Sequence, residues 1–168
     1  MAEPAQPRCR HGVMPMSISD AEIFDRWLNK AGEYGGIVPP RVASKLMAGG
    51  RLVMRSLPTE TCTRTIVRRM APEKALALGT AALAKLGKLM PEDDIAPPRR
   101  ILKAVIGAGF LNMNPAIVRL EIVDRESGEC EFRISTLAKE GFVLKQNTAP
   151  KALERVTAEL RTLIGLYP

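Results

Sequence analysis

The stretch AIVRLEIVDRESGECEFRIST, residues 116–136, predicts a β-hairpin. Apolar and polar residues alternate on both sides of Ser127-Gly128, as in strands with one face in a core and the other in solvent. The predicted inward residues are Val118, Leu120 and Ile122 on the first strand and Cys130, Phe132 and Ile134 on the second. A core must therefore cover one face of this hairpin.

Two long helices and further strands are predicted around the hairpin. The first helix follows Ala71-Pro72-Glu73, because proline suits a first helical turn and an acidic side chain suits a helix N-terminus. The second runs from about Thr148, a candidate N-cap, to Ile164. Its apolar stripe consists of Leu153, Val156, Leu160 and Leu163. Strands are predicted on both sides of a turn at 57–60, over 101–112 and over 141–146.

An additional helix is predicted near the N-terminus, where Ser19 and Glu22 have the spacing of a capping box. Together these patterns predict an α+β fold: a curved antiparallel β-sheet packed against two long helices, with an additional N-terminal helix. The predicted divisions are a flexible N-terminal arm over 1–16, an N-terminal helical segment over 17–50 and an α+β sheet-and-helix domain over 51–168.

A second stretch, GAGFLNMNPAIV at residues 107–118, interrupts an apolar strand pattern. A phosphate-binding loop would need a third glycine at dinucleotide spacing or a Lys-Ser pair, followed at once by a helix, and this stretch has neither. Glycine in a strand marks a bend, and proline disfavours helical conformation in the residue before it. We therefore predict a structural turn that contains Gly107, Gly109, Asn112, Asn114 and Pro115.

The same region carries a resemblance. The segment NPAIV (114–118), KEGFVLKQ (139–146) and a terminal amphipathic helix together resemble small bacterial α+β proteins of uncharacterised function. The resemblance covers about residues 107–156. It implies an antiparallel sheet packed on helices, and it implies no catalytic residues.

Composition favours an aliphatic core and a soluble, basic surface. The 168 residues include 25 Lys+Arg against 18 Asp+Glu, and aromatic residues make up only 4%. The densest run of cations lies between Arg41 and Arg69, a pattern that attracts acidic proteins, nucleic acid or anionic lipid. The longest apolar run is broken by asparagine and proline and is too short for a membrane-spanning helix.

No catalytic residue, metal ligand set or cofactor is predicted. The single histidine, His11, lies near Cys9 without the further ligands that zinc needs. Three widely spaced cysteines argue against a disulfide framework and favour a reducing cytoplasm, with Cys62 and Cys130 as small buried hydrophobes. The chain is thus expected to be cytoplasmic and non-catalytic.

Three hypotheses for function follow. The first is a binding or assembly module that contacts another protein or itself. The second is a carrier of an apolar small molecule or lipid between sheet and helix, as in helix-grip proteins. The third is nucleic-acid binding through the basic segment 41–69, which lacks the aromatic residues usual on single-strand platforms. The candidate partner-binding residues are Phe24, Trp27, Leu28, Arg41, Arg51, Arg55, Arg64 and Arg68.

Overall fold

A computed structural model describes residues 8–12, 58–90, 95–96, 99–108, 114–125, 127–139 and 147–165. Its strands are β1 (Arg8–Gly12), β2 (Thr59–Arg69), β3 (Lys88–Leu89), β4 (Ile95–Ala96), β5 (Arg99–Ala108), β6 (Asn114–Arg125) and β7 (Glu129–Lys139). Its helices are α1 (Pro72–Leu86), between β2 and β3, and α2 (Thr148–Ile164), after β7. The predicted N-terminal helix and the predicted strands over 51–57 and 141–146 lie outside the described residues.

The strands form one antiparallel sheet in the order β1-β2-β7-β6-β5-β3, and β4 also pairs with β5. The predicted hairpin is β6-β7, in which Leu120 lies opposite Ile134 and Ile122 opposite Phe132. Its turn places Gly128 at a φ of 72°, a conformation that glycine adopts without a steric penalty. The α+β class and the antiparallel sheet with two long helices are therefore confirmed, whereas the curvature of the sheet stays a prediction.

Helix α1 begins with the predicted proline in its first turn, and it contacts β5 and β6. Arg100 Nη2 of β5 donates to Glu73 Oε1 at 3.1 Å, which ties the first turn of the helix to the sheet. Small residues face the sheet: Ala75, Gly79 and Ala82 are buried. Because they are small, the helix axis can approach the strands closely.

Helix α2 has the predicted bounds but a different N-terminus. Thr148 is the first helical residue and is buried, and Asn147 is the N-cap, in the left-handed conformation. The N-cap prediction for Thr148 was wrong, because asparagine tolerates positive φ and takes the position one residue earlier. The stripe packs as predicted through Leu153, Val156 and Leu160, whereas Leu163 is 38% exposed in the last turn.

The core lies between the helices and one face of the sheet. Its largest fully buried side chains include Phe132, Leu83, Leu102, Leu120 and Leu153. Thr136 of β7 donates its hydroxyl to the Ala149 carbonyl oxygen at 2.9 Å, so the only hydroxyl among the largest buried side chains joins the sheet to the start of α2. Among the described residues, the core is thus aliphatic with one aromatic ring, in agreement with the composition.

No helix among the described residues is both long and apolar enough to cross a membrane.

Candidate functional site

The two faces of the sheet differ in what covers them. Even-numbered residues of β2, β5, β6 and β7 point toward the helices, and odd-numbered residues point to the opposite face, here called the open face. One end of the open face is buried, with Ile117 only 3% exposed. The other end carries exposed Thr63, Thr65, Arg119 and Arg133. This accessible end is the candidate functional site.

A buried carboxylate organises the site. Glu131 of β7 is only 5% exposed although it lies on the open face. Arg133 Nε donates to its Oε1 at 2.7 Å, and Arg125 donates to its Oε2 from Nε at 2.9 Å and also from Nη2. The alternation in the sequence predicts an outward Glu131, and the residue does lie on the face opposite the helices. It is nevertheless buried, because two arginine side chains cover the carboxylate and compensate its charge.

The arginines lower the pKa of Glu131. The hydrogen bond from Arg133 is the largest cause, and the bond from Arg125 adds to it, while burial acts in the opposite direction. The same bond from Arg133 to Glu131 raises the pKa of the Arg133 guanidinium. Glu131 therefore stays ionised below its ordinary pKa of 4.5 and holds both arginines over the sheet.

We expect Glu131→Gln to lower the free energy of unfolding by about 1–2 kcal/mol at pH 7, because the amide cannot accept charge-assisted bonds from both arginines. Urea denaturation measures the loss. The lowered pKa gives the sign of the pH dependence: the stabilisation is present above pH 4.5 and is lost as the pH falls through the lower pKa of the folded state. The difference in free energy of unfolding between wild type and Glu131→Gln should therefore become smaller in acid.

Glu129→Gln is the matched control on the same face of the same strand. Among the described residues, its carboxylate accepts an exposed hydrogen bond from Ser127 Oγ at 3.2 Å and no other, so we expect a loss below about 0.5 kcal/mol. Equal losses of unfolding free energy in the two variants would contradict the ion-pair assignment. A loss in Glu131→Gln that does not change with pH would also contradict it.

A shallow depression of about 250 Å³ lies beside this ion-pair network. It is lined by Thr63, Arg64, Thr65, Arg119, Glu121, Arg133, Ile134 and Ser135. Hydroxyl groups come from β2 and β7, and cationic groups come from β6 and β7. Arg119 is exposed, and no hydrogen bond or ion pair of its side chain with a described residue is recorded. The depression can thus offer a guanidinium and several hydroxyl donors to a carboxylate or phosphate group.

The described polar groups of the site can form hydrogen bonds and ion pairs with a ligand. They are hydroxyls, guanidinium groups and the carboxylates of Glu121 and Glu131, and arginine does not release its proton in proteins. Cys130 lies on the helix side, where burial raises the pKa of its thiol and the thiol donates to the Met70 carbonyl oxygen at 3.2 Å. Within the described ranges, no three His, Cys, Asp or Glu side chains form a group that could hold a metal ion.

Of the predicted partner-binding residues, Arg64 and Arg68 can be located. Both lie on the helix-facing side of β2 and are partly buried, and Arg64 Nε is buried without a hydrogen-bond partner. Arg69 lies on the open face. The described arginines of the basic segment therefore lie on both faces of the sheet. Phe24, Trp27, Leu28, Arg41, Arg51 and Arg55 lie outside the described residues.

The predicted structural turn falls between two paired strands. Gly107 lies opposite Pro115, and Ala108 lies opposite Asn114, so both Asn114 and Pro115 open strand β6. The connection from 109 to 113, with Gly109 and Asn112, lies outside the described residues. The strands that the turn must join are antiparallel neighbours, which is the geometry that a hairpin connection needs.

Sequence reasoning did not single out Arg119, Arg125 or Arg133 as site residues. Arg119 and Arg133 were predicted to point outward, like many surface side chains. The available signal was the pair of patterns Arg119-x-Glu121 and Glu131-x-Arg133, which place Glu121 directly opposite Arg133 if the hairpin register is known.

Comparison of the chain with models of protein families, with curated proteins and with solved structures finds no significant match.

Proposed function

We propose that the protein is a non-catalytic binding module that docks an acidic segment of another protein on its open face. The observation that carries this proposal is the exposed arginine cluster. Arg119 forms no ion pair with any residue that the structure describes, whereas Arg125 and Arg133 are held in place by Glu131. Side chains that are already fixed lose little conformational entropy on binding.

Charge on the accessible end of the open face favours an acidic partner. The cations there are Arg69, Lys103, Arg119, Arg125 and Arg133, and the carboxylates are Glu121, Glu129 and Glu131. Glu131 is already neutralised by its two arginines. The remaining positive charge steers an acidic segment toward the sheet and orients it there.

Exposed apolar groups among these charges favour protein over nucleic acid. Val67 of β2 is 39% exposed on the open face, next to Glu131 in the strand register. On the open face of β2, β5, β6 and β7 there is no aromatic side chain on which a base could stack. A mixed surface of arginine, hydroxyl and aliphatic groups is typical of protein interfaces.

Packing under α1 gives no support to the carrier hypothesis at that place. A Cβ atom added to Gly79 would lie 2.8 Å from Leu120 Cδ2, so the helix touches the sheet directly. An apolar ligand there would need a cavity that separates these two elements.

Partner binding through the predicted N-terminal helix, with Phe24, Trp27 and Leu28, remains a second hypothesis. Its test is Trp27→Ala, which should abolish self-association or partner binding while circular dichroism shows that the fold survives.

The main test uses a fluorescein-labelled oligo-glutamate peptide and fluorescence anisotropy. We expect Arg119→Glu to weaken binding by about tenfold, because it replaces an exposed guanidinium with a repelling carboxylate. Lys74→Glu is the control: it changes net charge equally but lies exposed on α1, behind the sheet. Its expected effect is below about twofold at 0.15 M salt.

Two results would overturn the proposal. Equal losses in Arg119→Glu and Lys74→Glu would mean that only net charge attracts the peptide. Tighter binding of duplex DNA than of the peptide would assign the open face to nucleic acid, if Arg119→Glu abolishes the DNA binding. Such DNA binding should weaken steeply as the salt concentration rises.

A further inference from the structure

Cys62 contradicts the prediction made from the spacing of the cysteines, which argued against disulfides and treated Cys62 as a small buried hydrophobe. Its side chain is fully buried and disulfide-bonded, whereas Cys130 is a free thiol. The chain has three cysteines, so only Cys9 remains as a partner within the chain. In the strand register, the backbone of Cys9 on β1 lies directly opposite Cys62 on β2.

We propose that Cys9 and Cys62 form a cross-strand disulfide that fastens β1 to the edge of the sheet and opens under reducing conditions. Directly opposite residues in an antiparallel pair have Cα atoms about 4.5–5.5 Å apart. That spacing falls within the range that a disulfide bridges without moving the backbone. The pairing therefore needs no rearrangement of either strand.

Cys130 cannot compete for Cys62. Cys62 lies opposite Thr136 on β7, and Cys130 lies opposite Arg68 at the other end of the strand pair. Six residues of strand separate Thr136 from Cys130, a distance of about 20 Å. The register thus permits Cys9–Cys62 and excludes Cys62–Cys130 while the sheet is folded.

The bond would matter because β1 is a short strand at the edge of the sheet. It has five residues, and among the described strands it pairs with Thr59–Thr63 of β2. The disulfide would close a ring of roughly 50 residues, and long rings restrict the unfolded chain most. Opening the bond would remove the covalent link between β1 and β2, and loss of β1 would expose the N–H and C=O groups at this edge of β2.

The redox step is an ordinary thiol–disulfide exchange. Formation removes one proton and one electron from each thiol, and a small-molecule disulfide accepts them and becomes two thiols. In a reducing compartment, excess small thiols drive the reverse exchange. The Cys9–Cys62 bond would thus respond to the ratio of small thiols to disulfides around the protein.

Pairing is tested by alkylation and peptide mass spectrometry on the full chain incubated with oxidised glutathione. After unfolding without reductant, we expect alkylation at Cys130 alone and a peptide that links Cys9 to Cys62. After reduction, all three cysteines should be alkylated. A link between Cys62 and Cys130, or three alkylated cysteines without reductant, would overturn the proposal.

The effect on β1 is tested by hydrogen exchange. Reduction, or Cys9→Ser, should accelerate amide exchange in β1 and at Thr59–Thr63 at least tenfold and lower Tm by about 5–10 °C. Cys130→Ala is the control. Amide exchange at β1 in this variant should still be faster with reductant than without it. Unchanged exchange at β1 in both reduced wild type and Cys9→Ser would show that the bond does not fasten the strand.

Discussion

Phe132→Ala should lower the free energy of unfolding by about 3–5 kcal/mol, because it removes the largest side chain of the core and leaves a cavity. Phe132 is fully buried on the helix-facing side of β7. It lies between Ile66 of β2 and Ile122 of β6 in the strand register. Strand backbones limit how far these neighbours can collapse into the space.

Val67→Ala provides the control for Phe132→Ala. Val67 follows Ile66 directly, so it belongs to the same strand but to the open face, where it is 39% exposed. We expect a loss below about 1 kcal/mol, because little apolar area leaves water at this position. Urea denaturation followed by far-UV circular dichroism measures both variants. Similar midpoints for the two would contradict the assignment of the core to one face.

The β6-β7 hairpin shows what periodicity can predict. The alternation of Leu120, Ile122, Phe132 and Ile134 fixes both the strands and their inward face, because a shift of one residue would expose every apolar side chain. The two long helices were predicted for a similar reason: proline and acidic residues mark the start of α1, and apolar residues at spacings of three and four mark α2. These signals are local and strong.

The candidate site depends on contacts that local patterns do not contain. Strand β2 pairs with β7, so Val67 meets Glu131 across 64 positions of sequence. The bonds that bury Glu131 come from Arg125 and Arg133 within the hairpin, but alternation alone does not show that both arginines bond to the same carboxylate. Cys62 illustrates the same limit. Its disulfide depends on which strand lies beside β2, whereas the sequence shows only that the cysteines are far apart.

Gly87→Ala should lower the free energy of unfolding by about 2–3 kcal/mol, since the added methyl group meets backbone that cannot move aside. Gly87 ends α1 and donates its N–H to the Leu83 carbonyl oxygen at 3.0 Å. An added Cβ would lie 2.3 Å from the Val105 carbonyl oxygen of β5. To admit it, the end of α1 and strand β3 must move away from β5. The φ of −168° is available to alanine, so the cost comes from close approach.

Gly79→Ala separates this effect from the mere loss of a glycine. Its added Cβ would meet the tips of Leu120, Ile122 and Leu102 side chains, which can shift by small rotations. In the helix interior, alanine is also favoured over glycine by about 1 kcal/mol, which offsets the crowding. We therefore expect Gly79→Ala to change stability by less than about 1 kcal/mol in urea denaturation. If Gly87→Ala were equally mild, α1 would not end against the backbone of β5, and the close packing of this helix on the sheet would have to be reconsidered.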